Sequence, residues 1–257
     1  QKKVVSQVTD PRQEISLADA RRLDKKVALD DEIMVESTPS NAGRIAAQTA
    51  KQVILQRLHD AEHSAIYAEY ADKVGDIITG TVRRVDSRNT YVDLGRAEAV
   101  LAVQDQAPSE RYRVGQRLKV YLVEVAETAR GPQLVASRAH AGLLKRLFEL
   151  EVPEIFNGIV EIKEVAREAG YRSKVAVVAR QQGVDPVGCC VGLRGIRIQN
   201  IVNELNGEKI DVISWSTDPA VFITNALSPA HVAEVRINRS EKSAEVIIPD
   251  RQLSLAI

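Results

Sequence analysis

The chain has 257 residues, 44% of them hydrophobic, and its 35 Lys and Arg balance 35 Asp and Glu to a formal net charge of zero. That apolar content excludes a disordered polymer, no uncharged apolar run reaches the roughly 18–20 residues of a membrane span, and the residues from Gln1 onward show no signal-peptide pattern. The length allows one large domain or two to three small ones, the composition reads as a soluble intracellular protein, and zero net charge argues against a uniformly basic nucleic-acid binder.

In chain order, the first forty residues predict two strands, in KKVVSQV and DDEIMVES, around a short helix that Ser16 caps with Asp19 three positions on. They are too few to hold a core alone. From Asn41 to about Asp72 no proline occurs, and Ala47, Ala50, Ile54, Leu58, Ala61 and Ala65 recur at spacings of three and four, which predicts a long helix with one buried stripe. His59, Glu62 and His63 within it fit HxxEH, a zinc-protease pattern. No further acidic ligand is arranged on a recognisable partner helix, so the pattern reads as a solvated helix face.

Five β-rich runs follow, at Asp76–Val85, Thr90–Leu94, Ala97–Ala102, Arg117–Val125 and Gln133–Ser137, separated by turn residues. Five short strands in about 65 residues cannot bury two sheets and predict a small closed barrel of the OB type. A helix over Ala139–Leu150, stopped by Pro153, leads to strands at Ile159–Val165 and Lys174–Ala179. Asp185 and Pro186 then start a short helix as N-cap and first helical residue, running to about Val191. The loop Gly192, Leu193, Arg194, Gly195 separates it from a helix with Ile198, Ile201, Val202 and Leu205 on one face, ended by Asn206 and Gly207, and a strand in KIDVISWS closes the unit.

The order helix, strand, strand, helix, loop, helix, strand then begins again. Asp218 and Pro219 start a helix, VAEVRIN and SAEVIIP form a hairpin, and Asp250 starts another helix. Laying VDPVGCCVG over DRQLSLAI places the last residue just short of a second loop glycine, which reads as an internal repeat truncated at the C-terminus. Cys189 and Cys190, being adjacent, lack zinc-pair spacing and read as reduced core residues.

Charge is sorted along the chain. Lys163 to Asn203 holds seven basic and three acidic residues, whereas Glu204 to Ile257 holds five and eight. The basic part contains the loop, where glycines admit positive φ and close approach, Arg194 carries a permanent charge, and Arg197 lies just inside the next helix. Two helix N-termini near the loop are expected to offer N–H groups to phosphate. A bare GxxG is weak evidence, but between a short capped helix and an amphipathic one it marks a KH domain, whose loop grips about four nucleotides of single strand.

The loop and helix, NELNGEKID, WSTDPAVFITNALSP, GRIAAQTAKQVILQR, RRLFELEVPEIFNGIVEI and PDRQLSLAI closely resemble the NusA family of bacterial transcription elongation and termination factors, over essentially the whole chain. The resemblance implies a multi-domain α+β fold: residues 1–74, the end of a polymerase-binding domain plus linker helix; 75–138, an S1 OB-fold barrel; 139–216, a first KH domain of type II; and 217–257, the start of a second. It implies a monomeric RNA-binding factor without enzymatic activity, cofactor or metal, acting on pausing, termination and antitermination. RNA polymerase, nascent single-stranded RNA and other termination or antitermination factors are its implied partners. The KH contacts implied are Gly192, Leu193, Arg194, Gly195, Ile196, Arg197 and Ile201.

On the barrel, places where S1 modules carry two aromatics and a histidine hold Arg88, Tyr91 and Ala102, which leaves an electrostatic surface of Arg83, Arg84, Arg88 and Arg138. Tyr91 reads either as a stacking ring or as a packed strand aromatic. A phosphorolytic exoribonuclease carries KH before S1 behind a large catalytic core, an order inverted here. A KH and S1 protein of ribosome assembly or RNA turnover stays open as the alternative.

Overall fold

Ser16 sets the first helix as its sequence demands, its Oγ accepting from the Asp19 N–H at 3.1 Å. The computed structural model describes residues 1–11, 13–35, 42–128 and 131–256. These fall into two units, Gln1–His59 and Asp60–Ile257.

In the first unit, β1 (Lys2–Val5) lies between β2 (Glu14–Ser16), parallel to it, and β3 (Glu32–Ile33), antiparallel. Helix α1 (Leu17–Leu23) closes a small core of Val4, Ala20 and Val27. The strand expected in DDEIMVES is thus only two residues long, its residues 36 and 37 lying outside the described residues, and β2 has no counterpart in the sequence reading. Helix α2 (Ala42–Ala71) has the expected length, but its stripe is not buried: Ile54 and Leu58 are 67% and 53% exposed. Apolar spacing of three and four is shared by core helices and by helices whose face meets no partner within the described residues.

The second unit takes in the end of α2 from Asp60 and then the closed barrel. Strands β4 (Ile77–Val85), β5 (Asn89–Asp93), β6 (Glu98–Ala102), β7 (Arg117–Thr128) and β8 (Gly131–Ser137) run in the order β4-β5-β6-β8-β7, and β4 pairs with β7 to shut the cylinder. Alternation along each strand turns Val82, Val92, Leu101, Val120, Leu122 and Leu134 inward. Tyr70, from the end of α2, joins this core and donates its hydroxyl to the Leu94 carbonyl at 3.2 Å.

Helix α3 (Ala141–Glu151) follows, and Pro153, expected as a stop, begins the one-turn α4 (Pro153–Phe156) at a position where its missing N–H is not needed. Strands β9 (Val160–Glu168), β10 (Arg172–Ala179) and β11 (Lys209–Ser214) form a sheet ordered β11-β10-β9, with β11 parallel to β10. Helices α3, α5 (Pro186–Val191) and α6 (Ile196–Glu204) cover one face, burying Leu144, Phe148, Val175, Val177, Cys190 and Ile201. The element order α-β-β-α-α-β is that of a type II KH domain. After it come α7 (Pro219–Ala226), capped by Asp218 as expected, the hairpin β12 (Glu234–Asn238) and β13 (Ser243–Ile247), a 3₁₀ turn over Asp250–Gln252, and α8 (Leu253–Ala256).

The barrel and the KH sheet share a polar seam. Arg138 is 1% exposed; it forms an ion pair with Glu110 and donates to the Lys119 carbonyl at 2.9 Å and the Glu204 carbonyl at 2.8 Å. Tyr121 of β7 stacks on His140 with centroids 4.7 Å apart, and Arg146 of α3 donates to the Gly75 carbonyl at 2.8 Å.

Candidate nucleic-acid interface

The loop is built from its flanks. Asp185 Oδ1 accepts from the Val187 N–H at 3.1 Å, which starts α5, and Pro186 supplies the fixed φ of the first helical position. The helix ends at Gly192 (φ 76°, ψ 175°); Arg194 (φ 52°) and Gly195 (φ 77°) are left-handed, and α6 begins at once. Such a reversal presents residues 193 and 194 at its apex. Leu193 is 83% exposed and Ile196 58%, and Arg194 makes no ion pair among the described residues.

The two glycines serve different ends. A Cβ on Gly192 would lie 2.7 Å from Arg197 Cγ, whereas at Gly195 the nearest atom would be Ile198 Cγ2 at 4.0 Å. The missing side chain at Gly192 thus makes room for an arginine of the protein itself, and the one at Gly195 leaves the outer face of the loop open. Arg197 Nη1 donates to the Cys189 carbonyl at 2.7 Å and to Glu154 Oε2 at 2.9 Å. It ties off the C-terminal end of α5, where a cation is favoured, and its charge is largely matched by Glu154 rather than added to the surface.

In three further places the structure departs from what the sequence predicts. Only one helix N-terminus adjoins the loop, because α5 ends there, and the N–H groups of Gly192, Gly195 and Ile196 already donate to the carbonyls of Gly188, Gly192 and Leu193. Ile201 is 1% exposed inside the KH core: five residues beyond Ile196 it points to the opposite side of α6. Arg138 is no surface cation, because Glu110 and two carbonyls hold it inside the seam.

Alongside the loop runs an open groove of about 620 Å³ whose lining includes Leu193, Ile196, Glu154 and Asp185. Exposed apolar atoms there can lie against base faces, and carboxylates can accept from base amino groups.

On the barrel, Arg83, Arg84 and Arg88 are exposed. Arg84 pairs across the β4–β5 ladder with Tyr91, its guanidinium 3.9 Å from the ring centroid, so one face of the half-buried ring is covered by a cation. Arg88 sits in a turn where Asp86 Oδ1 accepts its N–H at 3.0 Å and that of Asn89 at 2.7 Å; these bonds hold the Asp86 carboxyl below its usual range. Among the described residues no group of three or more His, Cys, Asp or Glu is arranged to hold a metal ion, and no helix is long and apolar enough to cross a membrane.

Family models match along the chain: a NusA N-terminal domain over residues 1–64, an S1 RNA binding domain over 71–137, a NusA-like first KH domain over 138–215, and a NusA-like second KH domain over 219–257. Three relatives carry the description transcription termination/antitermination protein NusA. That of Halalkalibacterium halodurans is 55% identical across 100% of this chain and 67% of its own length. The Bacillus subtilis protein is 54% identical across 100% and 69%, and that of Thermus thermophilus 49% across 100% and 66%. The chain therefore spans about two thirds of the length of these relatives.

Proposed function

The chain belongs to the NusA family of transcription termination and antitermination proteins, and from that premise we propose that it works by holding nascent single-stranded RNA, without catalysing a reaction, while bound to RNA polymerase in the cytoplasm. The exposed turn of Leu193 and Arg194 between α5 and α6 carries the reading. Its cation is uncommitted, its outer face is open at Gly195, and a groove continues from it. Arg194 would meet phosphate, and Leu193 and Ile196 would lie against bases. Arg83, Arg84 and Arg88 on the barrel would add a salt-sensitive attraction for the same strand, with Tyr91 as its one ring. Residues 1–74 would serve the polymerase side and 75–257 the RNA side, and other termination or antitermination factors would join the assembly.

The double substitution of Leu193 and Arg194 by aspartate tests this. It changes the apex by three charge units without touching a buried side chain, so thermal unfolding should be unchanged. RNA affinity should fall, and the slope of log K against log salt should decrease by about 0.7 for each phosphate that the loop no longer neutralises. Equal affinity and equal slope in the variant would remove the loop from the mechanism.

A further inference from the structure

A second feature of the KH domain is shaped to meet a flat anionic ligand. Tyr171 stands at the turn between β9 and β10 and is 56% exposed, the only exposed large hydrophobic between Phe156 and Leu193 among the described residues. Its backbone is held on every side. The Tyr171 N–H donates to the Glu168 carbonyl at 3.0 Å, and its carbonyl accepts from the Lys209 N–H at 3.0 Å. The preceding Gly170 (φ 80°) donates to Glu208 Oε2 at 2.8 Å, and a side chain there would collide with Ser109 of the barrel. Glu208 is itself fixed by Arg167 and Ser173. A ring projecting to solvent from so constrained a turn loses little freedom on binding.

Basic residues lie close to it in the chain and the sheet. Arg172 follows directly and pairs across the sheet with Lys209, and Arg111 lies two residues from Ser109. Arg172 is paired to Asp211 at 2.7 Å, while Lys209 and Arg111 make no ion pair among the described residues. Of the nearby acids, Glu168 is exposed, whereas Glu110 and Glu208 are buried and committed to arginines. A lone ring among cations, with no adjoining exposed apolar side chain in the hairpin, suits a nucleic-acid base and not an apolar protein patch. The turn is bonded to Glu208 and Lys209, just past the last residue of α6, whereas the GLRG loop adjoins the first residue of that helix, whose nine residues span about 13 Å.

We propose that Tyr171 is a stacking platform for a base of the RNA strand gripped at the loop, with Lys209 and Arg111 drawing its phosphates across the barrel seam. This rests on the reading of the loop as an RNA grip. The test is the affinity of the full chain for oligoribonucleotides of about four nucleotides, enough for a KH loop, and about twelve. Tyr171→Ala should weaken binding of the longer strand by about fivefold to a hundredfold and leave the shorter unaffected, and Tyr171→Phe should bind both like the parent. Lys209→Gln should lower the salt slope for the longer strand by about 0.7. Loss of equal size on both lengths, or no loss on the longer strand, overturns the platform. If the Leu193 and Arg194 double variant still weakens binding, the loop reading survives that failure; if it does not, both fall.

Discussion

Replacing Glu208 by alanine should destabilise the barrel and KH unit by about 3–5 kcal/mol, although the residue touches no proposed ligand. Its carboxylate is 1% exposed and accepts four hydrogen bonds: from Arg167 Nε and Nη2 at 2.9 and 2.8 Å, from Ser173 Oγ at 2.6 Å and from the Gly170 N–H at 2.8 Å. Removing it strands a guanidinium whose side chain is 2% exposed, leaving it the His140 carbonyl at 2.8 Å. In urea or thermal unfolding, the loss corresponds to a Tm lowered by about 6–20 °C for a unit of this size. The double variant Arg167→Met, Glu208→Leu, which removes both charges, should recover most of the loss.

The acid dependence of this contribution has a definite sign. Burial works to raise the Glu208 pKa, but the bonds from Arg167, Ser173 and Gly170 outweigh it and hold the carboxyl below its usual range. A group with a depressed folded pKa stabilises fully above the unfolded value of about 4.3, and that stabilisation is lost as pH falls through the folded value. The gap between parent and Glu208→Ala should therefore narrow in strong acid. A loss below about 1 kcal/mol at neutral pH, or a double variant as unstable as the sum of the singles, would refute the reasoning.

Two further expectations follow from the loop and its helix. Gly192→Ala puts a Cβ 2.7 Å from Arg197 Cγ at a φ of 76°, so it should cost about 1–3 kcal/mol in thermal unfolding and disturb the Arg197–Glu154 pair; a neutral effect would mean that the turn is not held as described. Cys190 is fully buried, and desolvation pushes its thiol up to about 12, so iodoacetamide at pH 8 should modify the partly exposed Cys189 and spare Cys190 until urea is added. Equal labelling of both in the folded chain, read by mass spectrometry of the peptide, would contradict the packing of α5.

Much of the fold was legible because its signals are local. The five barrel strands are bounded by turn residues, Asp185 and Asp218 announce their helices through cap and proline, and the GLRG loop lies in one continuous stretch. What escaped the sequence depends on partners far away in the chain. Arg138 reads as a surface cation until Glu110, 28 residues earlier, and Glu204, 66 later, fold around it. Arg167 and Glu208 are 41 residues apart and show no periodicity that would pair them. Ile201 and Ile196 look alike by composition, and only the phase of α6 against the sheet separates a core residue from a groove residue. Tyr171 sits in a turn, where an aromatic carries no pattern until its exposure is seen.

The seam has a consequence for how such proteins can be taken apart. The S1 match ends at residue 137 and the KH match begins at 138, so the border between two sequence modules falls at the arginine whose carboxylate partner, Glu110, lies on the barrel side and whose carbonyl acceptor, Glu204, lies on the KH side. A barrel excised at that border would carry Glu110 without its countercharge, and a foreign barrel grafted there would need an acid placed to meet Arg138. The physical unit at this border is therefore larger than either module: barrel and KH sheet must be transplanted together or redesigned together.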